Sequence, residues 1–381
     1  MNKNESFMRK EYGLVQMPFK TTIATDLELQ SWVNREDELK KWKKILDDAL
    51  KTPTSNFLVF IIGDYGMGKT LSLLKIEREL AKKDEKFYPI YLNLISEQKP
   101  KNPGLDFIFR IIRKIDFDKI RVTEKNIDFI EDVLPDVGNA FRKVFFPKNE
   151  DEKRIALAFV RGDIKVTQGY LKLLEVMRKI DEVDFAKEYL IGILYFLKVS
   201  GFFTLVVAVD EFEYLFSLVS KSNQSIYLAL LRSLYDLPIQ VPDKLKSKTA
   251  NMVFFIGISE DGMQRLTDLE NVEKSTGGPI NPLMRRVTDK VRLNPLKKDY
   301  VRKLIEKRLS LNRVKGVYEK EPLIPFTEDY VDYIYKITGG RPSDIIVRCD
   351  HVLDAGLEQR VSKLTAEFAK EVFKEQGFTY E

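Results

Sequence analysis

Short runs of apolar residues alternate along the chain with longer segments in which apolar residues recur every three or four positions. The short runs predict strands that are buried on both faces, and the longer segments predict amphipathic helices. The predicted strands span residues 57–62, 87–94, 202–209 and 252–258, and a short last strand lies within 289–296. Strands separated by helices are typical of a parallel sheet covered on both faces, so the predicted fold class is α/β.

The same pattern predicts how the chain is divided. Residues 1–31 are polar and are expected to form an irregular lead-in segment. Residues 32–298 are expected to form the α/β core, with a helical insertion that carries no catalytic signature at about 100–200. Residues 299–381 have a helical period and are expected to form a separate helical domain.

Two narrower expectations concern the first fifty residues. In the lead-in segment, Met17-Pro18-Phe19 is the expected docking point. The amphipathic pattern that follows predicts a helix from Asn34, as a side-chain N-cap, to about Lys51.

A glycine-rich loop follows the first predicted strand and leads into a helical pattern. Its sequence has the form G-x-x-x-x-G-K-[ST], which in this strand–loop–helix context indicates a phosphate-binding loop. The residues expected to surround the nucleotide are Gly63, Asp64, Tyr65, Gly66, Met67, Gly68, Lys69, Thr70 and Leu71. Glycines let backbone N–H groups face the phosphate oxygens, and the helix N-terminus adds its positive end.

Two side chains of this loop have predicted roles. Lys69 is expected to reach the β- and γ-phosphates of ATP, and Thr70 is expected to hold Mg²⁺ through its hydroxyl. The alternative is a chance glycine turn between a strand and a helix, which the coincidence of the motif with a buried strand argues against.

The strand predicted at 202–209 ends in the acidic pair Asp210-Glu211. The carboxyl ends of strands are where open α/β sheets bind ligands. Asp210 is therefore a candidate ligand of the Mg²⁺ shell, and Glu211 is a candidate to orient or deprotonate the attacking water. The alternative is an acidic pair that only begins a surface loop.

The next strand ends at Ser259, whose hydroxyl is a candidate contact for the water or the γ-phosphate. Glu260 and Asp261 follow directly, and either is an alternative N-terminal acid of a helix.

Three arginines complete the candidate chemistry. Arg341 precedes a predicted helix start at Pro342, where Ser343 and Asp344 are suited to capping, and it is free in this interpretation to contact a phosphate. Arg285 and Arg286 precede the last strand. If subunits pack in a ring or filament, one of these arginines would reach the nucleotide of the neighbouring subunit. We favour Arg286 from the pattern, and solvated surface arginines remain the alternative.

Composition narrows the class of protein. The chain has one Cys and one His in 381 residues, which rules out an internal disulfide and a Cys/His zinc site. No apolar run has the length of a membrane span, and the polar N-terminus is not that of a signal peptide, so a cytoplasmic location without membrane contact is expected. The net charge of +5 neither requires nor excludes nucleic acid.

Two sets of surface candidates stay open. Lysine pairs at 40–41, 43–44, 82–83 and 297–298 are candidate DNA contacts or ordinary solvated helix faces. In the insertion, Phe141, Phe145 and Phe146 are either core residues or part of a surface for protein partners.

Taken together, these residues resemble an AAA+ ATPase. The resemblance implies a parallel-sheet P-loop core with a C-terminal helical lid, ATP and Mg²⁺ as cofactors, and assembly into a homo-oligomer. It also implies roles for the candidates: the loop at 63–70 is Walker A, Asp210-Glu211 is Walker B and Ser259 is sensor 1. Arg285 or Arg286 is then the arginine finger, and Arg341 is sensor 2.

Two branches of that family are similar to this chain. The origin-recognition and replication-initiator clade has a Gly-Arg-Glu-x-Glu-Leu box near the adenine, matched here from Asn34 to Leu39, so Arg35 becomes a nucleotide-binding candidate. Asn34 replaces the family glycine. The interval from Lys69 to Asp210 is longer than the clade's pattern, and the winged-helix domain of the initiators is not expected in a sequence that ends at Glu381.

The segment from 155 to 240 is similar to ATP-binding proteins of BREX-type phage-defence islands. We therefore weigh two functions. The first is an oligomeric ATPase that remodels or loads a DNA-associated complex. The second is a slow nucleotide-dependent switch that recruits protein partners, with the insertion as a candidate surface. A P-loop small-molecule kinase fits poorly, because it would need neither the acidic strand end nor Arg341.

Overall fold

The computed structural model of the chain describes residues 3–20, 26–95, 101–218, 221–276 and 278–377. A five-stranded sheet within these residues has the order β2-β3-β4-β1-β5. The strands are β1 (Phe57–Ile62), β2 (Phe87–Asn93), β3 (Thr204–Asp210), β4 (Asn251–Ile258) and β5 (Asp289–Arg292). Strands β2, β3, β4 and β1 pair in parallel. The predicted α/β class and the predicted strands are confirmed.

Helices fill the intervals between the strands and the whole C-terminal part. The helices before β3 are α1 (Lys3–Glu11), α2 (Asp26–Gln30), α3 (Glu36–Lys51), α4 (Lys69–Lys75), α5 (Pro103–Arg113), α6 (Glu124–Val133), α7 (Pro135–Phe145), α8 (Glu150–Val160), α9 (Gln168–Leu174) and α10 (Val183–Val199). Those after β3 are α11 (Tyr214–Leu218), α12 (Lys221–Tyr235), α13 (Leu237–Gln240), α14 (Glu260–Thr276), α15 (Ile280–Met284), α16 (Lys298–Leu311), α17 (Glu328–Thr338), α18 (Pro342–Gln359) and α19 (Ala366–Glu375). A π-helical turn, Ile76–Ala81, continues α4. In the described ranges, no helix has the length and apolar content needed to span a membrane.

Contacts between Cα atoms divide the chain into two compact units. The sheet unit comprises Lys40–Ile62 and Leu73–Val291. The helical unit comprises Met1–Leu39, Gly63–Ser72 and Arg292–Glu381. The glycine-rich loop therefore groups with the helical unit, although the strand that precedes it belongs to the sheet unit.

The sheet unit has one continuous hydrophobic core that joins the strands to the helices of the insertion. Every residue of β3 and β4 is buried, which explains their uninterrupted apolar runs. Phe141 of α7 is fully buried and packs edge-on against Phe196, with the ring centroids 5.1 Å apart. Phe145 is half-buried against the same core, and Phe146 is exposed. The core alternative is thus confirmed for Phe141.

The helical unit has its own core, built from α1, the residues after it and α16–α19. Tyr12, Leu14 and Phe19 are fully buried in it, so the predicted docking of Phe19 is confirmed. The expectation of an irregular lead-in is wrong, because Lys3–Glu11 is a helix whose Met8 packs into this core. Residues 1, 2 and 21–25 of the predicted lead-in lie outside the described residues.

Helix α3 begins one residue later than predicted. Its first N–H to carbonyl bond runs from Leu39 to the carbonyl of Arg35, so Arg35 and not Asn34 occupies the N-cap position. Asn34 instead has a left-handed backbone, with φ +57°. Asparagine tolerates this conformation better than most residues, which explains how it replaces the glycine of the initiator pattern.

A buried amide ties the amino-terminal edge of the sheet unit together. Asn251, at the start of β4, donates to the carbonyls of Ala49 at 2.8 Å and Ser55 at 3.1 Å, and accepts from the Thr204 hydroxyl at 2.6 Å. Asn251 and Thr204 are buried, so no water replaces these partners. This amide fixes the chain after α3 to β3 and β4.

We expect Asn251→Ala to lower the free energy of unfolding by about 3 kcal/mol, because it leaves buried carbonyls and a hydroxyl without partners. Urea unfolding followed by circular dichroism measures this loss. Asn149→Ala is the matched control: Asn149 is an exposed N-cap that accepts from the N–H of Glu152, and its loss should cost only about 1 kcal/mol. Equal losses in the two variants would contradict the structural role of Asn251.

Candidate functional site

The glycine-rich loop of the helical unit depends on two left-handed glycines. Gly66 has φ +81° and Gly68 has φ +90°, values that L side chains rarely adopt. A methyl group added at Gly66 would overlap the Ser343 side chain, whereas one added at Gly68 would meet no atom within 4 Å. The loop is therefore packed against its own unit at Gly66 and open at Gly68.

Lys69 opens helix α4, and its side chain turns back over the loop. It is 8% exposed, and its ammonium donates to the carbonyl of Gly63 at 2.9 Å. Thr70 follows in the first helical turn and is half-buried, like Leu71. Asp64 is exposed and Tyr65 is 85% exposed, so these two loop side chains face solvent within the described structure.

The Arg35 side chain is hydrogen-bonded to the backbone of the glycine-rich loop. Its guanidinium is 4% exposed and donates to the carbonyls of Met67 at 3.3 Å and Asn294 at 2.9 Å. Burial lowers the pKa of Arg35, and the nearby Glu38, 3.4 Å away, opposes that shift. The resemblance implies that Arg35 contacts the nucleotide; the structure instead places it on the backbone of the loop.

Helix α18 begins beside the same loop. Arg341 occupies its N-cap position and Pro342 its first turn, as predicted. The predicted side-chain caps are absent here: the backbone N–H of Ser343 donates to the carbonyl of Gly66 at 3.2 Å, and its hydroxyl lies 3.0 Å from Asp344. The Arg341 side chain passes 3.7 Å from the position that a Cβ at Gly66 would occupy. Arg341 is thus a neighbour of the phosphate-binding loop.

In the sheet unit, Asp210 ends β3 as a buried carboxylate. It is 1% exposed, and both of its oxygens accept hydrogen bonds. The hydroxyl of Tyr91 donates to Oδ2 at 2.7 Å, and the backbone N–H of Glu211 donates to Oδ1 at 3.0 Å. Burial, with Asp210 as a second cause, raises the pKa of Tyr91, so this hydroxyl stays protonated and donates.

Glu211 has a left-handed backbone, with φ +57°. For a residue with a long side chain this conformation costs about 1–2 kcal/mol, and such strain concentrates at functional sites. The next residue, Phe212, is fully buried and donates its N–H to the carbonyl of Gly257 at 3.1 Å. The chain therefore turns sharply at Glu211, directly after β3, and a functional role of the acidic pair stays a prediction.

Strand order brings the carboxyl ends of β1 and β3 to the same end of the sheet. β1 and β3 flank β4 and run parallel to it, with Ile62 opposite Ile258 and Val209 opposite Ile256. Both strands consequently end at the same edge, where open parallel sheets bind ligands. Gly63 is the next residue after β1, and Asp210 is the last residue of β3.

Ser259 lies between β4 and α14. Its hydroxyl accepts from the N–H of Gly262 at 3.0 Å, which makes it the side-chain cap of α14. Glu260 and Asp261 occupy the first turn of that helix, as the alternative interpretation expected. A contact of Ser259 with the water or the γ-phosphate stays a prediction.

The two candidate finger residues differ in their surroundings. Arg286 makes a bidentate ion pair with Asp236, with both N–O distances at 2.7 Å, and donates to the carbonyl of Pro282. The hydrogen bonds with Asp236 raise the pKa of Arg286. Arg285 is exposed. The structure therefore favours Arg285 over Arg286 as a residue offered to a partner.

Sequence reasoning missed Tyr91 and Asp236. Tyr91 stands two positions before the end of β2, but nothing in the sequence shows that β2 lies beside β3. Asp236 follows α12 in a stretch with ordinary helical composition, and its partner Arg286 is remote in sequence. Only the strand order and the packing of helices reveal these contacts.

Comparison with known proteins assigns the family. A family model described as "BREX system ATP-binding protein BrxC/D" matches residues 110–328, more than half of the chain. The chain belongs to this family. The match begins after the loop at 63–70 and ends before Arg341. It therefore includes Asp210 and Glu211 but not the loop or Arg341. Among curated proteins, none matches the chain.

One solved structure shows the fold, and two others are similar over most of the chain. The ORC2 protein of Aeropyrum pernix, solved in ADPNP and ADP complexes, is similar over 94% of this chain and 71% of its own, with 14% identity and a TM-score of 0.53. Cdc6p of Pyrobaculum aerophilum matches over 96% and 72%, with 14% identity and a TM-score of 0.47. Drosophila ORC bound to DNA matches over 99% and 74%, with 15% identity and a TM-score of 0.45. The ORC2 match shows the fold alone. The BrxC/D match confirms the similarity to BREX ATP-binding proteins that was stated from the sequence.

The strain at Glu211 predicts an unusual order of stability. We expect Glu211→Gly to be more stable than Glu211→Ala by about 1 kcal/mol, because only glycine is relaxed at φ +57°. At an ordinary backbone position the order is reversed, since glycine costs about 0.5–1 kcal/mol relative to alanine. Thermal unfolding of the two variants measures the difference, and alanine being the more stable of the two would show that residue 211 is unstrained.

Proposed function

We propose that this chain is a magnesium-dependent ATPase that works as an oligomer and acts on a DNA-associated complex. The observation that carries the proposal is the common edge of β1 and β3, which end in a glycine-rich loop and a buried carboxylate. Membership of an ATP-binding family supports ATP as the bound nucleotide. The resemblance to AAA+ ATPases supports ATP hydrolysis as the reaction.

The residues of the loop fit a triphosphate. The open side at Gly68 leaves room for phosphate oxygens to approach the backbone. The ammonium of Lys69 is already turned towards the loop carbonyl of Gly63, from which phosphate oxygens can draw it by a stronger, charge-assisted bond. Arg35, Met67 and Asn294 hold the loop backbone in place while this happens.

The oxygen donors fit Mg²⁺. A threonine hydroxyl in the first turn of α4 and a carboxylate at the end of β3 are hard oxygen ligands, the kind that Mg²⁺ prefers. We assign Thr70 and Asp210 to this role. When bound, the ion neutralises charge on the β- and γ-phosphate oxygens.

Glu211 follows the metal ligand and is assigned to the water. Its carboxylate orients the attacking water and accepts its proton, a contribution of about 10²–10⁴ in rate. Arg341, which lies beside Gly66, is assigned to the γ-phosphate. The exposed Arg285 is assigned to the nucleotide of a neighbouring subunit.

The proposal that the associated partner is DNA rests on the exposed face of α3. Lys40, Lys41, Lys43 and Lys44 are all exposed on this helix. By contrast, Lys298 forms an ion pair with Asp332 at 2.7 Å and is a weaker candidate. If this face contacts phosphates, stimulation of ATP turnover by DNA falls steeply as salt is raised.

A slow nucleotide-dependent switch is the second candidate. It is favoured by the bond from Ser343 to Gly66, which joins the phosphate-binding loop to the first turn of α18. In that case nucleotide binding shifts α18 and recruits a protein partner with little turnover. ATPase rates with and without DNA, together with mass measurement in a non-hydrolysable nucleotide, separate the two candidates.

Two loop and strand-end variants test the ATPase. Lys69→Ala should weaken ATP binding at least about tenfold, since it removes a charge-assisted hydrogen bond worth 1.5–3 kcal/mol. Glu211→Gln should retain ATP binding but lower hydrolysis by about 10²–10⁴. Fluorescent-nucleotide titration and phosphate release measure these effects. Parental turnover in either variant would remove that residue from the site.

A mixing experiment tests the arginine assignment. Arg285→Ala should lower the ATPase rate by about 10³ without weakening ATP binding, because an arginine finger acts mainly on the transition state. Mixing Arg285→Ala with Glu211→Gln chains should restore part of the rate, since mixed interfaces contain one intact pair.

The control is Arg286→Ala, which should lower the free energy of unfolding because Asp236 then keeps only its longer ion pair with Arg232, at 3.8 Å. This variant should not be rescued by mixing. Rescue of Arg286→Ala, with Arg285→Ala indifferent to mixing, would return the finger role to Arg286.

A further inference from the structure

Tyr91, which lies outside every predicted motif, donates a hydrogen bond to Asp210, the candidate metal ligand. Tyr91 belongs to β2, two residues before the strand ends at Asn93. In the pairing of β2 with β3, Tyr91 lies opposite Ala208 and Asn93 lies opposite Asp210. The Tyr91 side chain reaches forward along the strands, and its hydroxyl donates to Oδ2 of Asp210 at 2.7 Å.

The Asp210 carboxylate is held at both oxygens. The backbone N–H of Glu211 donates to Oδ1, so each oxygen has one donor and retains a lone pair for a metal or a metal-bound water. Because the side chain is 1% exposed, water does not compete for these bonds. Two fixed donors on a planar group leave it a single orientation.

The β4 side of the carboxylate is closely packed. Gly257 of β4 lies there, and a Cβ at that position would stand 3.2 Å from Oδ1 of Asp210. Asp210 thus has a hydroxyl donor on the β2 side and a residue without a side chain on the β4 side. A Cβ at residue 257 would also meet the Leu73 side chain at 2.9 Å, so the absence of a side chain there leaves room for the carboxylate in this orientation.

We propose that Tyr91 is a positioning residue that orients Asp210 towards Mg²⁺. This inference rests on the proposed function and adds to it a residue that acts through another. Donors that orient a metal-binding side chain typically account for 10–100-fold in metal affinity. A hydroxyl that only satisfies a buried carboxylate would contribute to folding stability and leave metal affinity unchanged.

The test is Tyr91→Phe, which removes the hydroxyl and keeps the ring. Mn²⁺ serves as the probe, titrated by electron paramagnetic resonance into the full chain with a non-hydrolysable ATP analogue. The metal dissociation constant should rise about tenfold. Affinity for the nucleotide in EDTA should stay at the parental value, and the ATPase rate should recover when Mg²⁺ is raised to saturation.

Tyr88→Phe is the matched control on the same strand. The Tyr88 hydroxyl accepts from the backbone N–H of Asp116 at 2.8 Å, and Tyr88 lies opposite Leu205, five residues before Asp210 on β3. Its removal should lower the melting temperature and leave Mn²⁺ affinity at the parental value. Melting curves of both variants show whether each is folded before metal binding is compared.

A double variant tests whether Tyr91 acts through Asp210. In an Asp210→Asn background, Tyr91→Phe should cause no further loss of Mn²⁺ affinity, because the oriented carboxylate is already gone. Parental Mn²⁺ affinity in a folded Tyr91→Phe chain would overturn the positioning role and leave the ATPase proposal standing. A parental chain that binds neither Mn²⁺ nor nucleotide would overturn the proposed function, and this inference with it.

Discussion

Parallel pairing of β1 and β3 with β4 is the constraint on which the candidate chemistry depends. Because parallel strands point the same way, the carboxyl ends of β1, β3 and β4 lie at the same end of the sheet. The long insertion between β2 and β3 does not disturb this arrangement. Its helices pack into the core of the sheet unit, and β3 still returns between β2 and β4.

Buried charge is the second theme. Lys69, Arg35 and Asp210 are each less than a tenth exposed, and an unpartnered buried charge is costly. Each is hydrogen-bonded, Lys69 and Arg35 mainly to backbone carbonyls and Asp210 to a hydroxyl and a backbone N–H. The carbonyls and donors that stabilise these groups also fix the directions of their side chains.

The sequence was sufficient for the elements whose signal is local. Uninterrupted apolar runs predict β3 and β4 because both faces of these strands are buried, and the G-K-T ending predicts the loop because its backbone needs glycine. The sequence could not show contacts that depend on strand order or helix packing. Tyr91 with Asp210 and Arg286 with Asp236 are of this kind, since each pair is far apart along the chain. Position-specific backbone strain, as at Glu211, also leaves no mark in hydrophobic periodicity.

The contact between Ser343 and Gly66 has a mechanical consequence. Gly66 is accommodated only because it has no side chain, and the first turn of α18 fills the space that a side chain would need. A rotation of α18 about its own axis would therefore break the Ser343 bond or drag the backbone of Gly66 with it. Within the helical unit, the backbone conformation of the loop and the orientation of α18 are therefore expected to change together.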